Sequence, residues 1–309
     1  MKLENLKKDY YAGKILKSEY IKKMHSIHQI LFEYSQSIKE TDIKKIEIKD
    51  DNVLMTTREN EIKMICDAND QRTIPLEILN FNFYEKQELN MVQRLMNDCS
   101  YFFDIGANIG WYSINIAKNF NNVKIFAFEP IPSTFAYLKK NVELNKIQNT
   151  ILFNFGFSDI EDNLIFYYYP EGSVNASLMN LSKREDVKEI YCEVKTIDNF
   201  IQEEKLKIDF IKCDVEGAEL FVFKGGLKTI GRDNPIIFTE LLRKWSSKFK
   251  YHPNDVVKML KNIGYKCFVI DDENLIEIPE INEDTIETNF LFLHQKNHSN
   301  HINDLVKKP

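Results

Sequence analysis

Two glycines and a set of carboxylates carry the spacing that chemistry requires. The run Phe103-Asp104-Ile105-Gly106-Ala107-Asn108-Ile109-Gly110 reads as a strand passing through a glycine loop into a helix. Gly106 lets the backbone turn sharply and approach a ligand, and Gly110 lets the helix start pack close to the strand. Asn108 sits between them, and asparagine is the non-glycine residue most tolerant of left-handed geometry. Asp104 stands at the strand end, before the glycines. Glu129 closes the next apolar run, 19 residues beyond Gly110. A carboxylate there can accept from both hydroxyls of a ribose. Ser158 and Asp159 follow a third run, where a side-chain acceptor could meet the exocyclic amine of an adenine; Ser-Asp is also ordinary turn chemistry. A fourth run ends in Asp214-Val215-Glu216-Gly217-Ala218-Glu219, three carboxylates within six residues. Glu216 and Glu219, three apart, share one face of a helix starting there, and an acid in a first turn is favoured by the helix dipole.

These residues need a scaffold of alternating strands and helices. Helical spacing covers 85–96, 111–118 and 134–144, and β-rich runs occupy 101–105, 123–129, 150–155, 209–214, 235–241, 265–270 and 289–294. Such alternation predicts a largely parallel sheet with helices on both faces. Ligands then bind outside the carboxyl ends of the strands, where the candidate residues fall. Before this body, residues 1–40 have apolar positions at helical spacing, divided at Gly13. From Lys44 to Met64 the period becomes two, with Asp50-Asp51-Asn52 as a turn, which predicts a β-hairpin. The expected organisation is an extension over 1–75, a catalytic domain over 76–296, and a polar, fraying tail over 297–309.

Composition narrows the function classes. The 309 residues are 43% hydrophobic and 28% charged, enough for a sizeable core. The net charge of −6 argues against a nucleic-acid partner, whose binding face makes a domain basic. No apolar run approaches the length of a membrane span, and the lysine-rich start has no apolar stretch of a secretory signal. Five cysteines, odd in number and without a CxxC, predict neither a disulfide framework nor a zinc knuckle. A reduced, cytoplasmic, soluble protein is the expectation.

The ordered segments FFDIGANIGWYS, FAFEP, SVNASL (173–178), TIDNF and IDFIKCDVEGAELFVFKGG, followed by PIIFTEL, GYKCFVI and NFLFLH, resemble the FkbM-type family of S-adenosylmethionine-dependent methyltransferases. The resemblance spans about Ile78 to His294. It implies a class I, Rossmann-like α/β fold: a seven-stranded, mostly parallel sheet whose last strand is antiparallel. It implies S-adenosylmethionine as cofactor and S-adenosylhomocysteine as product. By the same carry-over, Asp104, Gly106, Asn108 and Gly110 hold the methionine part and Glu129 the ribose. Asp159, beside Ser158, lies near adenine, and Asp214 beside the reactive methyl. Tyr84 and Glu88 match a family pattern and close over the cofactor. The acceptor class it implies is a hydroxyl, here expected on a sugar or glycan of a surface polysaccharide; a secondary-metabolite hydroxyl and a catalytically degenerate binding module are the alternatives.

Methyl transfer is an in-line displacement, so alignment is the protein's main task. A hydroxyl acceptor must also lose a proton, and the candidate bases are Asp214, Glu216, Glu240 and His252. His252 titrates near neutrality without tuning, yet its place before Pro253-Asn254-Asp255 also reads as a helix cap. No metal is expected. If Mg2+ were used, Asp214 and Glu240, which end the fourth and fifth runs, would hold it. Trp245, among Arg243, Lys244 and Lys248, can stack on a sugar face or help meet an anionic group. A nicotinamide dehydrogenase would need GxGxxG where this chain has GANIG. A base-flipping methyltransferase would carry an Asn/Asp-Pro-Pro-aromatic tetrad, which is absent. The N-terminal helices offer a homodimer interface.

Overall fold

The computed structural model describes residues 2–49, 51–169, 176–181 and 187–307. The chain opens with helices α1 (Lys2–Tyr11), α2 (Lys17–His28) and α3 (Ile30–Ser37). An antiparallel sheet follows, made of β1 (Ile43–Lys49), β2 (Asn52–Thr57) and β3 (Lys63–Cys66). The hairpin pairs Ile46 with Met55 and Ile48 with Val53, as the alternation predicts; Asp50 of its turn lies outside the described residues. β3 is an addition, since four residues are too few to display a period.

The body begins with α4 (Ile74–Phe81), α5 (Lys86–Leu95), β4 (Tyr101–Ile105), α6 (Trp111–Asn119), β5 (Lys124–Phe128), α7 (Pro132–Leu144) and β6 (Thr150–Phe153). A small sheet of β7 (Gly156–Phe157), β8 (Asp162–Tyr168) and β9 (Lys188–Lys195) comes next. The chain continues through α8 (Ile197–Glu204), β10 (Phe210–Cys213), α9 (Glu219–Lys224), α10 (Leu227–Asp233), β11 (Ile236–Glu240), α11 (Arg243–Ser246) and α12 (Pro253–Lys261). It closes with β12 (Tyr265–Asp271), β13 (Asn274–Ile278), β14 (Asn289–His294) and α13 (Ser299–Leu305).

The main sheet runs β13-β12-β14-β11-β10-β4-β5-β6. β6, β5, β4, β10 and β11 pair in parallel, and β14 runs antiparallel to both β11 and β12. This is the expected α/β sheet with an antiparallel last strand, widened to eight strands by β13, which hairpins back from β12. Alternate residues supply two cores, because both faces are covered. Phe102, Ile125, Phe210, Phe238 and Leu291 join the cluster on one face, while Phe103, Phe126, Phe128, Ile211 and Phe292 join the other. Each fully buried side chain of this size contributes about 1.5–3 kcal/mol.

Ile43, Met55, Ile62 and Met64 belong to the same core cluster as Val92 and Ile114. Asn141 on α7 accepts from Ile65 N–H at 3.0 Å, which ties β3 to the body. α1, α2 and α3 bury no residue at all. The polar tail departs from its expected fraying: α13 forms over Ser299–Leu305, Leu305 is buried, and Val306 bridges Leu275. Leu305, Ile302 and Val306 pack on the core and Lys307 pairs with Asp271, anchoring a segment whose composition is otherwise polar. All five cysteines are free. No described helix is long and apolar enough to cross a membrane.

Candidate active site

The glycine loop is held by the ends of its neighbours. Gly106 N–H and Ala107 N–H both donate to the Phe128 carbonyl, at 3.0 and 2.9 Å, and Asp214 N–H donates to the Ile105 carbonyl. Gly106 has φ +76°, and a Cβ there would lie 1.9 Å from the Asp214 carbonyl oxygen, so no side chain fits. Asn108 takes φ +49° and its Oδ1 accepts from Ile109 N–H at 2.8 Å. Gly110 caps α6 at φ +98°.

Glu129, at the end of β5, lines the cavity that this loop borders. Its Oε2 accepts from Asn108 N–H at 3.0 Å and its Oε1 from Ile131 N–H at 2.9 Å. Burial pushes its pKa up to about 7, against those two N–H groups. Asp104 is fully buried and does not line the cavity. Its Oδ2 accepts from Ser113 N–H and Ser113 Oγ–H, at 3.0 and 2.6 Å, stapling β4 to α6.

The cavity has a volume of about 340 Å3. It brings together Tyr84, Gly106, Asn108, Glu129, Asp214, Glu216, Glu240 and Trp245 from the sequence-derived set, at the ends of β4, β5, β10 and β11. Asp214, Glu216 and Glu240 each offer a carboxylate oxygen within 4.8 Å of the others. Burial raises Glu240 to about 10, with Asp214 and Glu216 adding repulsion. Burial, with Asp214 and Glu219 adding repulsion, holds Glu216 well above the usual range, and its Oε2 is sealed without a hydrogen-bond partner. Glu219 is different: its Oε1 accepts from Val215 and Gly217 N–H, and its Oε2 from Tyr251 Oη–H. That carboxylate shapes the loop after β10.

Several expected site residues lie elsewhere. His252 is the N-cap of α12: its Nδ1 accepts from Asn254 N–H at 3.2 Å, while its own N–H donates to Asp255. The described residues that line the cavity do not include it. Ser158 and Asp159 also lie outside that lining. Ser158 is buried, its N–H bonded to the Lys195 carbonyl, and its Oγ–H donates to an exposed Asp159. The reason is that β7 leaves the main sheet to pair with β9. Glu88 is half-buried on α5, also outside the lining, whereas Tyr84 stands edge-on to Trp111 at 5.9 Å within it. Ser173, Val174 and Asn175 of the SVNASL segment lie outside the described residues.

The structure adds residues that spacing did not single out. Glu85, φ +43°, lines the cavity and accepts from Tyr112 Oη–H at 2.7 Å; burial lifts its pKa to about 7. Lys212, on β10, is a buried cation beneath the loop. An ionisable residue inside an otherwise apolar run, as in Ile211-Lys212-Cys213, was the available signal for it.

Residues 104–267 match the family model described as the methyltransferase FkbM domain. "Methyltransferase 1" of Beauveria bassiana is 27% identical over 146 residues, covering 41% of this chain and 59% of that protein. "Methyltransferase sdnD" of Sordaria araneosa is 29% identical over 154 residues, covering 40% and 60%. The chain thus spans about three fifths of the length of these curated relatives. A solved FkbM methyltransferase from Methylobacillus flagellatus superposes with a TM-score of 0.43 at 14% identity, covering 73% of this chain and 56% of that one. With the domain match running from Asp104 at the glycine loop to Cys267 on β12, more than half of its length, the chain belongs to the FkbM methyltransferase family.

Proposed function

We propose that the protein is an S-adenosylmethionine-dependent O-methyltransferase whose acceptor is a hydroxyl of a sugar or glycan. The observation that carries the cofactor reading is Glu129. Its two oxygens are fixed by backbone N–H groups at the edge of the cavity, and each keeps acceptor capacity for a ribose hydroxyl. Gly106, packed against the Asp214 backbone, lines the same cavity, where the methionine part would lie. When bound, the cofactor supplies an electrophilic methyl group. The protein's own residues align and deprotonate the acceptor, with Asp214 the carboxylate placed to take the proton, beside Glu216 and Glu240, whose raised pKa keeps them protonated at neutral pH. Trp245 adds an aromatic face beside those acceptors, a pairing suited to a polyhydroxylated ligand.

Titration calorimetry with S-adenosylhomocysteine tests the cofactor. Micromolar binding to the wild type, weakened about 10- to 100-fold in Glu129→Ala, is expected, the scale of one or two hydrogen bonds to a charged group. No binding to folded wild type would end this reading. Acceptor panels of sugars and of secondary-metabolite hydroxyls, read by a methyl mass increment, then decide the substrate class. We infer transfer without a metal, because Asp214 already has the Lys212 ammonium at 3.4 Å. Turnover in EDTA is expected to stay within about twofold of the untreated rate, a range set by the small effect of losing no transition-state contact; loss restored by Mg2+ would reverse that assignment.

A further inference from the structure

Lys212 is 6% exposed, and its ammonium stands where three elements meet. It donates to the Gly106 carbonyl at 3.0 Å. It lies 3.4 Å from Asp214 Oδ2 and 3.7 Å from Asp104 Oδ1, and the latter oxygen has no hydrogen-bond partner. One contact is a hydrogen bond of ordinary length and two are long, so an ammonium with three N–H groups retains donor capacity. Burial alone would lower its pKa, but Asp214, Asp104 and Glu85 hold it above the usual lysine value, so it is charged at neutral pH.

The cavity otherwise favours cations. Among the described residues, Glu77, Glu85, Glu129, Asp214, Glu216 and Glu240 line it, against Arg72 and Lys212. Arg72 is more than half exposed and paired with Glu77 at 3.2 Å. Among the described residues, a ligand carboxylate entering beside the glycine loop meets one buried counter-charge, Lys212. Beside that ammonium stand the acceptors a ligand amine needs, the Gly106 carbonyl and the Asp214 carboxylate. Adjacent groups of opposite sign match the zwitterionic end of an α-amino acid.

We propose that Lys212 recognises the α-carboxylate at the methionine end of the cofactor. This rests on the S-adenosylmethionine reading above and extends it to a residue outside the glycine loop. The test compares two ligands on each protein by calorimetry: S-adenosylhomocysteine and its decarboxylated form, which keeps the amine. Wild type should prefer the carboxylated ligand by about 10- to 100-fold, the range of a charge-assisted contact. In Lys212→Met, with folding checked by thermal melting, the preference should fall below about threefold, the residue of that contact once the charge is gone. Lys212→Arg should keep most of it, and serves as the second variant if the methionine protein does not fold. A preference unchanged in Lys212→Met, or absent from the wild type, overturns the proposal while leaving the cofactor assignment intact. Failure of wild type to bind either ligand removes the cofactor reading itself, and this inference with it.

Discussion

Glu240 concentrates the electrostatic tension of the site. It is half-buried, its carboxylate lies within 4.8 Å of two others, and its pKa stands at about 10 against an ordinary 4.5. Below pH 4.5 the group is protonated in folded and unfolded chains alike and makes no difference. Between 4.5 and about 10 the unfolded chain releases the proton while the folded chain resists, so stability falls as pH rises. Glu240→Gln removes that titration. Its melting temperature should exceed the wild-type value at pH 8 by an amount equivalent to about 1–3 kcal/mol, the cost of a poorly satisfied buried polar group. The two proteins should converge near pH 4.5; a wild type that is the more stable at pH 8 contradicts the account. At this scale, sequence spacing reveals Glu129, Asp214 and Glu240 because each ends an apolar run. Glu85 and Lys212 are harder to see, because their roles arise when α5 and the glycine loop fold back over β10.

Among the elements, α12 shows how one residue type can serve a chemical or a structural purpose. His252, Pro253 and Asp255 make a reciprocal capping box: the imidazole satisfies an N–H of the first turn, and the Asp255 carboxylate satisfies the His252 N–H. His252→Ala should therefore cost about 1 kcal/mol of stability, the usual loss for a cap, and leave methyl transfer unchanged. A fall in turnover at unchanged stability would return the histidine to the mechanism. The strands of the main sheet are readable because both faces are buried, giving unbroken apolar runs such as 125–128 of β5. The small β7-β9-β8 sheet is not. In β8, Leu164, Ile165, Phe166, Tyr167 and Tyr168 form an apolar run, but it follows a two-residue β7 that is too short to announce itself. Ser158 and Asp159 follow β7 and so stand at the end of that small sheet, not of a main-sheet strand.

The molecule as a whole divides by charge as well as by burial. Residues 1–40 hold eight lysines and five acidic residues, while the remaining 269 hold 33 basic and 42 acidic ones, so a basic arm is joined to an acidic body. Within the arm, Tyr10 stacks on Tyr20 at 4.5 Å, yet no residue of α1–α3 is buried, and Tyr11, Leu16 and Phe32 are 83%, 75% and 69% exposed. Isolated helices of 8–12 residues are marginal in water without a tertiary face to bury. We propose that a second copy of the chain covers them, its acidic body meeting the basic arm in a reciprocal exchange that closes a two-fold dimer. An anionic membrane is a poorer match, because the body it would draw in carries a strong negative charge. Light scattering after gel filtration should give twice the chain mass for the full protein, and a monomer after removal of residues 1–40. Because charge complementarity helps hold the arm, dissociation should advance with salt over the range in which exposed charges are screened. A full-length monomer at micromolar concentration, or a dimer that survives removal of the arm, would contradict the exchange.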